Sequence, residues 1–158
     1  MGLIEGQGNL LYNRIGDVTW QGNLDSQLLD LLNVKYLVTT QEIGNVGYTL
    51  VYSDDIRLYR NDDYLPRAFV VYQAKVVDPN DNARWTQELK SLNPRETVIL
   101  ETNALILGLQ PEIRNPKSEI AITEYTPNRV VVSATTSAAG YLVLADSYFD
   151  GWTAQDGG

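Results

Sequence analysis

Short apolar runs, broken at close intervals by turn-forming residues, constrain this chain more than any other feature. In the last third, residues 120–125, 129–136 and 141–147 are three such runs, separated by Thr126-Pro127-Asn128 and by Ala138-Ala139-Gly140. Each is strand-length, and short polar or glycine-containing connections of this kind join antiparallel neighbours. The pattern recurs upstream. Residues 48–52 and 56–59 flank Ser53, Asp54 and Asp55 and read as a hairpin with a tight acidic turn. Residues 34–40 read as a compact strand and 97–100 as a short one. Residues 68–77 form the longest apolar run, and its lack of clean alternation predicts a strand covered on both faces.

Helical spacing appears twice. Leu24, Leu28, Leu31 and Leu32 fall at i, i+4, i+7 and i+8, with Asn23 as cap, Asp25 and Ser26 in the first turn, and Asn33 as the stop. Residues 80–92 put Trp85, Leu89 and Leu92 on one face, with Asn80 or Asp81 as cap and Pro94 as the stop. Residues 1–22, interrupted by Gly2, Gly6, Gly8 and Gly16, read as an irregular lead-in, and residues 103–117 as a surface loop. The expected fold is mainly β (α+β): an antiparallel β-sandwich-like domain with two short helices, one domain over residues 23–158.

Composition bounds the chemistry. The 158 residues include no His and no Cys, which removes disulfides, cysteine nucleophiles, Ser-His-Asp triads, His bases and ordinary zinc sites from this chain. Twelve Lys and Arg against twenty Asp and Glu leave a net charge of −8, a balance that disfavours nucleic acid as a partner. No run approaches the ~20 apolar residues of a membrane helix. The segment MGLIEGQGNLLYNR shows no basic stretch leading into an apolar one, so no signal peptide is visible and the chain alone is expected to be soluble.

Paired carboxylates are what remains for catalysis. Asp54/Asp55 and Asp62/Asp63 read as turn formers. Asp146 and Asp150, beside Tyr148 and Trp152 at the end of an apolar strand, are better placed, for capping a loop or for acid–base work on a glycoside. Tyr148, Phe149 and Trp152, with neighbouring carboxylates, suit a sugar face; the plainer reading has Trp152 plugging the end of the fold. Arg67, after Pro66, is either a clamp for a carboxylate or phosphate or a structural partner of Asp62-Asp63. Arg57 and Arg60 with Asp54 and Asp55 read as an exposed, solvated cluster. Asp78, Asn80 and Asn82 mimic the start of a calcium loop. Ala83 stands where the sharp-turn glycine belongs and Leu89 where the bidentate Glu belongs, so a helix N-terminus explains them better. No metal and no cofactor are expected.

Four segments, in order, carry a resemblance: Leu31-Leu32-Asn33-Val34-Lys35-Tyr36-Leu37, Leu65-Pro66-Arg67-Ala68-Phe69, Tyr125-Thr126-Pro127-Asn128-Arg129-Val130, and the stretch from Leu142 through Ala145-Asp146-Ser147-Tyr148-Phe149-Asp150-Gly151-Trp152 to Ala154. Together they resemble the extracytoplasmic C-terminal region of bacterial YfhO-like multi-spanning membrane proteins, of the GT-C glycosyltransferase type, over roughly residues 23 to 158. Asp150 stands where that family usually has Pro, and the family continues past Gly-Trp-x-Ala into further strands. The resemblance implies a domain cut short at its C-terminus. It further implies an accessory role on the extracytoplasmic face of the cell membrane, beside the parent transmembrane region, in glycosylating cell-envelope polysaccharide or teichoic acid. On this reading the chain is non-catalytic and binds or orients a glycan or lipid-linked sugar, with Asp146, Tyr148, Asp150, Trp152 and Arg67 as the binding candidates. The alternatives are a freestanding carbohydrate- or protein-binding β-sandwich module and a carboxylate-pair glycosidase using Asp146 and Asp150. Residues 141–147 are apolar on both alternating sets and belong in mid-sheet, so with few residues beyond them a homodimer through an exposed sheet edge is expected.

Overall fold

The computed structural model describes residues 24, 27–44, 46–101, 116–148 and 150–155. Among the described residues the chain is mainly β with two helices, an α+β arrangement whose sheets are antiparallel apart from one parallel pair. It divides into two compact units, Met1–Leu65 and Pro66–Gly158. Among the described residues, no helix is long and apolar enough to cross a membrane. The expected lead-in 1–22, the cap Asn23 with Asp25 and Ser26, and residues 103–115 of the expected loop lie outside the described residues.

In the first unit, helix α1 (Gln27–Leu31) is closed by Asn33, which takes the left-handed conformation at φ 59. Val34 N–H donates to Leu29 O and Asn33 N–H to Asp30 O, the paired bonds of a Schellman end, and Asn tolerates that conformation better than most residues. So Asn33 is the stop its spacing predicts. The predicted face holds in part. Leu24 is buried and Leu28 and Leu31 half-buried, but Leu29 is buried as well and Leu32 is 59% exposed, because the helix ends at Leu31 and the chain turns back before Leu32 can join its stripe.

Strands β1 (Tyr36–Thr39), β2 (Tyr48–Ser53) and β3 (Arg57–Asn61) form an antiparallel sheet in the order β1-β3-β2. The β2–β3 hairpin is the one its acidic turn predicts. Gly47, at φ +92, opens β2 where a Cβ would lie 2.8 Å from a carboxylate oxygen of Asp63. Asn61, 2% exposed, ties the unit together. Its amide donates to Asp30 Oδ1 at 2.7 Å and to Val34 O at 3.1 Å, and its carbonyl oxygen accepts from Asp63 N–H at 3.0 Å. One side chain thereby joins the helix, its exit and the turn after β3.

In the second unit, the run 68–77 is two strands rather than one. Strand β4 (Ala68–Val71) pairs antiparallel with β9 (Tyr141–Leu144), while β5 (Gln73–Val77) pairs parallel with β6 (Thr97–Glu101). The change of sheet falls at Tyr72. A parallel pair needs a crossover, which α2 (Asn82–Ser91) supplies. Asp81 caps α2 by accepting from Arg84 N–H, and Asp78 accepts from Asn80 N–H, so both carboxylates serve the helix entry. Lys75 Nζ reaches Glu88 Oε2 at 2.6 Å and fastens α2 to β5. Leu92 is buried and Trp85 and Leu89 half-buried, as the spacing predicts.

Strands β7 (Ser118–Thr126) and β8 (Arg129–Thr136) form the predicted hairpin. The expected pairing of β8 with the next strand does not occur: β9 is shorter than residues 141–147 and pairs with β4, Val71 lying opposite Tyr141. Gly140 explains part of this. A Cβ there would stand 2.8 Å from Val70 Cγ1 and 2.9 Å from the Tyr72 ring, so only glycine lets the chain pass β4 that closely. Strand β9 is also not in mid-sheet; among the described residues, β4 is its sole neighbour.

Candidate functional site

The end of β9 lies beside the start of β4, and this register assembles the candidate site. Ala145 N–H donates to Arg67 O at 2.7 Å, extending the ladder by one rung. Asp146 then turns, its N–H donating to Leu144 O and its Oδ1 accepting from Ser147 N–H at 3.0 Å. Tyr125, near the end of β7, completes the cluster. Its hydroxyl donates to Asp146 Oδ2 at 2.6 Å and accepts from Arg67 Nη1 at 3.2 Å. The Arg67 guanidinium also lies over the Tyr125 ring, 5.3 Å from its centre, within range of cation–π attraction.

Arg67 Nη1 and Asp146 Oδ2 are 3.6 Å apart, an ion pair longer than a hydrogen bond. Tyr125 holds the two groups by bonding to each. Its bond to Asp146, with burial as a lesser cause, holds the phenol above its ordinary range, while the charge of Arg67 pulls the other way. The side chains of Arg67 and Asp146 remain well over a third accessible in the first case and about that in the second, so the cluster is open to a ligand.

Of the candidates named from sequence, Arg67 and Asp146 meet. The partner expected for Arg67 from sequence, Asp62-Asp63, is replaced by Asp146; Asp62 accepts from Arg60 Nε at 2.7 Å and from the Thr49 hydroxyl. Arg57 donates to Thr40 O, so the expected Arg57/Arg60 cluster with Asp54 and Asp55 resolves into separate contacts. Tyr148 is 75% exposed and Trp152 37% exposed, so Trp152 is not a buried plug. Asp150 is exposed next to Gly151 at φ +100. The structure shows no hydrogen bond or ion pair joining the side chains of Tyr148, Asp150 or Trp152 to the cluster among the described residues. Phe149 lies outside them.

Tyr125 was not singled out by sequence reasoning. As one of several aromatic residues on hairpin strands, it carried no chemical signal of its own; its place directly before the Thr126-Pro127-Asn128 turn was the available hint. Chemically, the cluster offers a fixed donor, a fixed acceptor and two exposed rings nearby in the chain. Asp146 sits among polar partners, Arg67, Tyr125 and a backbone amide, and not in the apolar setting of a glycosidase's general acid. Among the described residues, no group of three or more acidic side chains is placed to hold a metal ion. Compared with known proteins, the chain matches no family model, no curated protein and no solved structure.

Proposed function

We propose that this chain is a sugar-binding accessory domain of a membrane glycosyltransferase-like protein, held on the extracytoplasmic face beside the parent transmembrane region. It does no catalysis itself and orients a glycan or lipid-linked sugar for the parent. The observation that carries the reading is the open Arg67–Tyr125–Asp146 cluster, followed within a few residues by the exposed rings of Tyr148 and Trp152. Directed hydrogen bonds beside solvent-facing aromatic rings suit a polyol with apolar faces. The resemblance to YfhO-like proteins supports the placement at the envelope. Self-association through β9 belongs to the same reading: Leu142 is 48% exposed, and β9 has one sheet neighbour among the described residues.

The test is a titration of the purified chain with cell-envelope polysaccharide fragments, followed by tryptophan fluorescence and calorimetry. Binding that weakens by about tenfold or more in Trp152→Ala and Tyr148→Ala, each ~1.4 kcal/mol, is the expected result. No binding at millimolar fragment concentrations overturns the reading. Glycoside hydrolysis abolished by Asp146→Asn would replace it with the glycosidase alternative.

A further inference from the structure

The geometry points to a neutral sugar, gripped through two adjacent hydroxyls by Arg67 and Asp146, as the ligand of this cluster, with polyanionic glycans disfavoured. The inference rests on the sugar-binding reading above and narrows it to a substrate class.

Three observations carry it. First, donor and acceptor stand side by side and unsaturated. Arg67 spends one guanidinium nitrogen on Tyr125, and among the described residues its other donors have no partner. Each Asp146 oxygen accepts one hydrogen bond, from Tyr125 or from Ser147 N–H, and a carboxylate oxygen has room for a second. Second, Tyr125 keeps the two from closing on each other. At 3.6 Å the guanidinium and carboxylate are near neighbours without a direct hydrogen bond, so one small ligand can reach both. Each sugar hydroxyl both donates and accepts, so a diol answers a paired donor and acceptor, one hydroxyl receiving from Arg67 while the other donates to Asp146. Third, the surrounding charge is wrong for an anion. A phosphate or carboxylate on Arg67 would face Asp146 directly, with Asp150 exposed on the same segment and a chain of net charge −8 behind it. A lone arginine would favour an anion; one already neutralised by a fixed carboxylate does not.

The experiment uses the whole chain and four probes: cellotetraose, maltotetraose and 1,4-linked mannotetraose, which carry vicinal diols, and poly(glycerol phosphate), which is polyanionic. Affinities are measured by calorimetry in low and in physiological salt. At least one neutral probe is expected to bind, and to lose at least tenfold in affinity after periodate cleaves its diols. Poly(glycerol phosphate) is expected to bind at least tenfold more weakly than that probe in physiological salt. Arg67→Lys and Asp146→Asn are each expected to weaken the neutral probe about tenfold, with circular dichroism confirming that both variants are folded. If either variant is unfolded, the periodate comparison on the unaltered chain decides alone. Poly(glycerol phosphate) binding more tightly than every neutral probe, or an affinity indifferent to periodate, overturns the inference and leaves the sugar-binding reading standing. Binding of none of the four probes overturns the inference, and a failure with envelope fragments as well removes the reading beneath it.

Discussion

Among the described residues, Met1–Leu65 buries Leu24, Leu29, Tyr59 and Leu65 together with the polar Asn61, whereas Pro66–Gly158 buries Ala68, Phe69, Val71, Val77 and Leu92 with Thr97 at the margin. In the first unit a buried polar side chain makes three hydrogen bonds that say where the helix ends and where the strand turns. The second relies on aliphatic and aromatic packing, which is stronger per residue and silent about direction. The contrast teaches that burial and specification are separable. In the first unit one satisfied amide ties a short helix to the strands beside it, and in the second, with three two-stranded pairings, Ala68, Phe69 and Val71 of β4 are buried.

The comparison can be broken most forcefully in the second unit. Phe69→Ala is expected to cost about 3–5 kcal/mol, the usual range for emptying an aromatic site in a core, read from urea denaturation. A cost below about 1 kcal/mol would place the unit's stability elsewhere. Asn61→Leu tests the first unit. It gains apolar surface yet removes the hydrogen bonds to Asp30, Val34 O and Asp63 N–H, each worth about 0.5–1.5 kcal/mol net. The expected net loss is about 2 kcal/mol, with faster amide exchange at Asp63. A more stable variant would show that the amide is replaceable by ordinary packing. Gly47→Ala sharpens the same point at lower cost, about 1–2 kcal/mol for forcing a side chain into the left-handed region, since its Cβ also meets Asp63.

The smallest expected effect is the pH dependence of the exposed pairs. The Thr49 and Arg60 hydrogen bonds hold Asp62 below its ordinary 3.8, and Lys75 holds Glu88 below its ordinary 4.5. Lowered folded-state values mean stability that is present above the unfolded values and lost as pH falls through the folded ones. Melting curves are therefore expected to shift downward once pH drops below about 4.5, one arm from each unit. Lys75→Met should flatten only the Glu88 arm; an unchanged acid profile in that variant would show the pair to be inert.

What was legible in the sequence follows the range of the interactions. The β7–β8 and β2–β3 hairpins, the Asp81 cap and the Asn33 stop are set by residues a few positions apart, and each is where local chemistry places it. The end of the α1 stripe was misread because Leu32 fits the helical spacing but lies past the last helical residue. The run 68–77, divided at Tyr72, was misread as one strand: only 68–72 is unbroken, and Gln73 and Lys75 alternate with apolar residues from the point where the sheet changes. Two of the three residues of the cluster were legible: Arg67 and Asp146 stood out by charge. Their meeting depends on β4 pairing with β9, and Tyr125 joins them from β7, which lies beside β4.

The pairing of β4 with β9 also has a consequence in time. Strands β5 to β8 and helix α2 all lie between these two partners in the chain, and Val71 finds Tyr141 only across that whole interval. A polypeptide leaving the ribosome from its N-terminus can zip each local hairpin as it emerges, but β4 must wait until Leu144 has been synthesised. Closing so long a loop is entropically slow. Throughout the wait Phe69 and Val71, sealed in the finished fold, have no sheet neighbour to cover them. The oldest strand of the second unit is thus among its last to be satisfied, and the nascent chain is most open to mispairing just before synthesis of that unit ends.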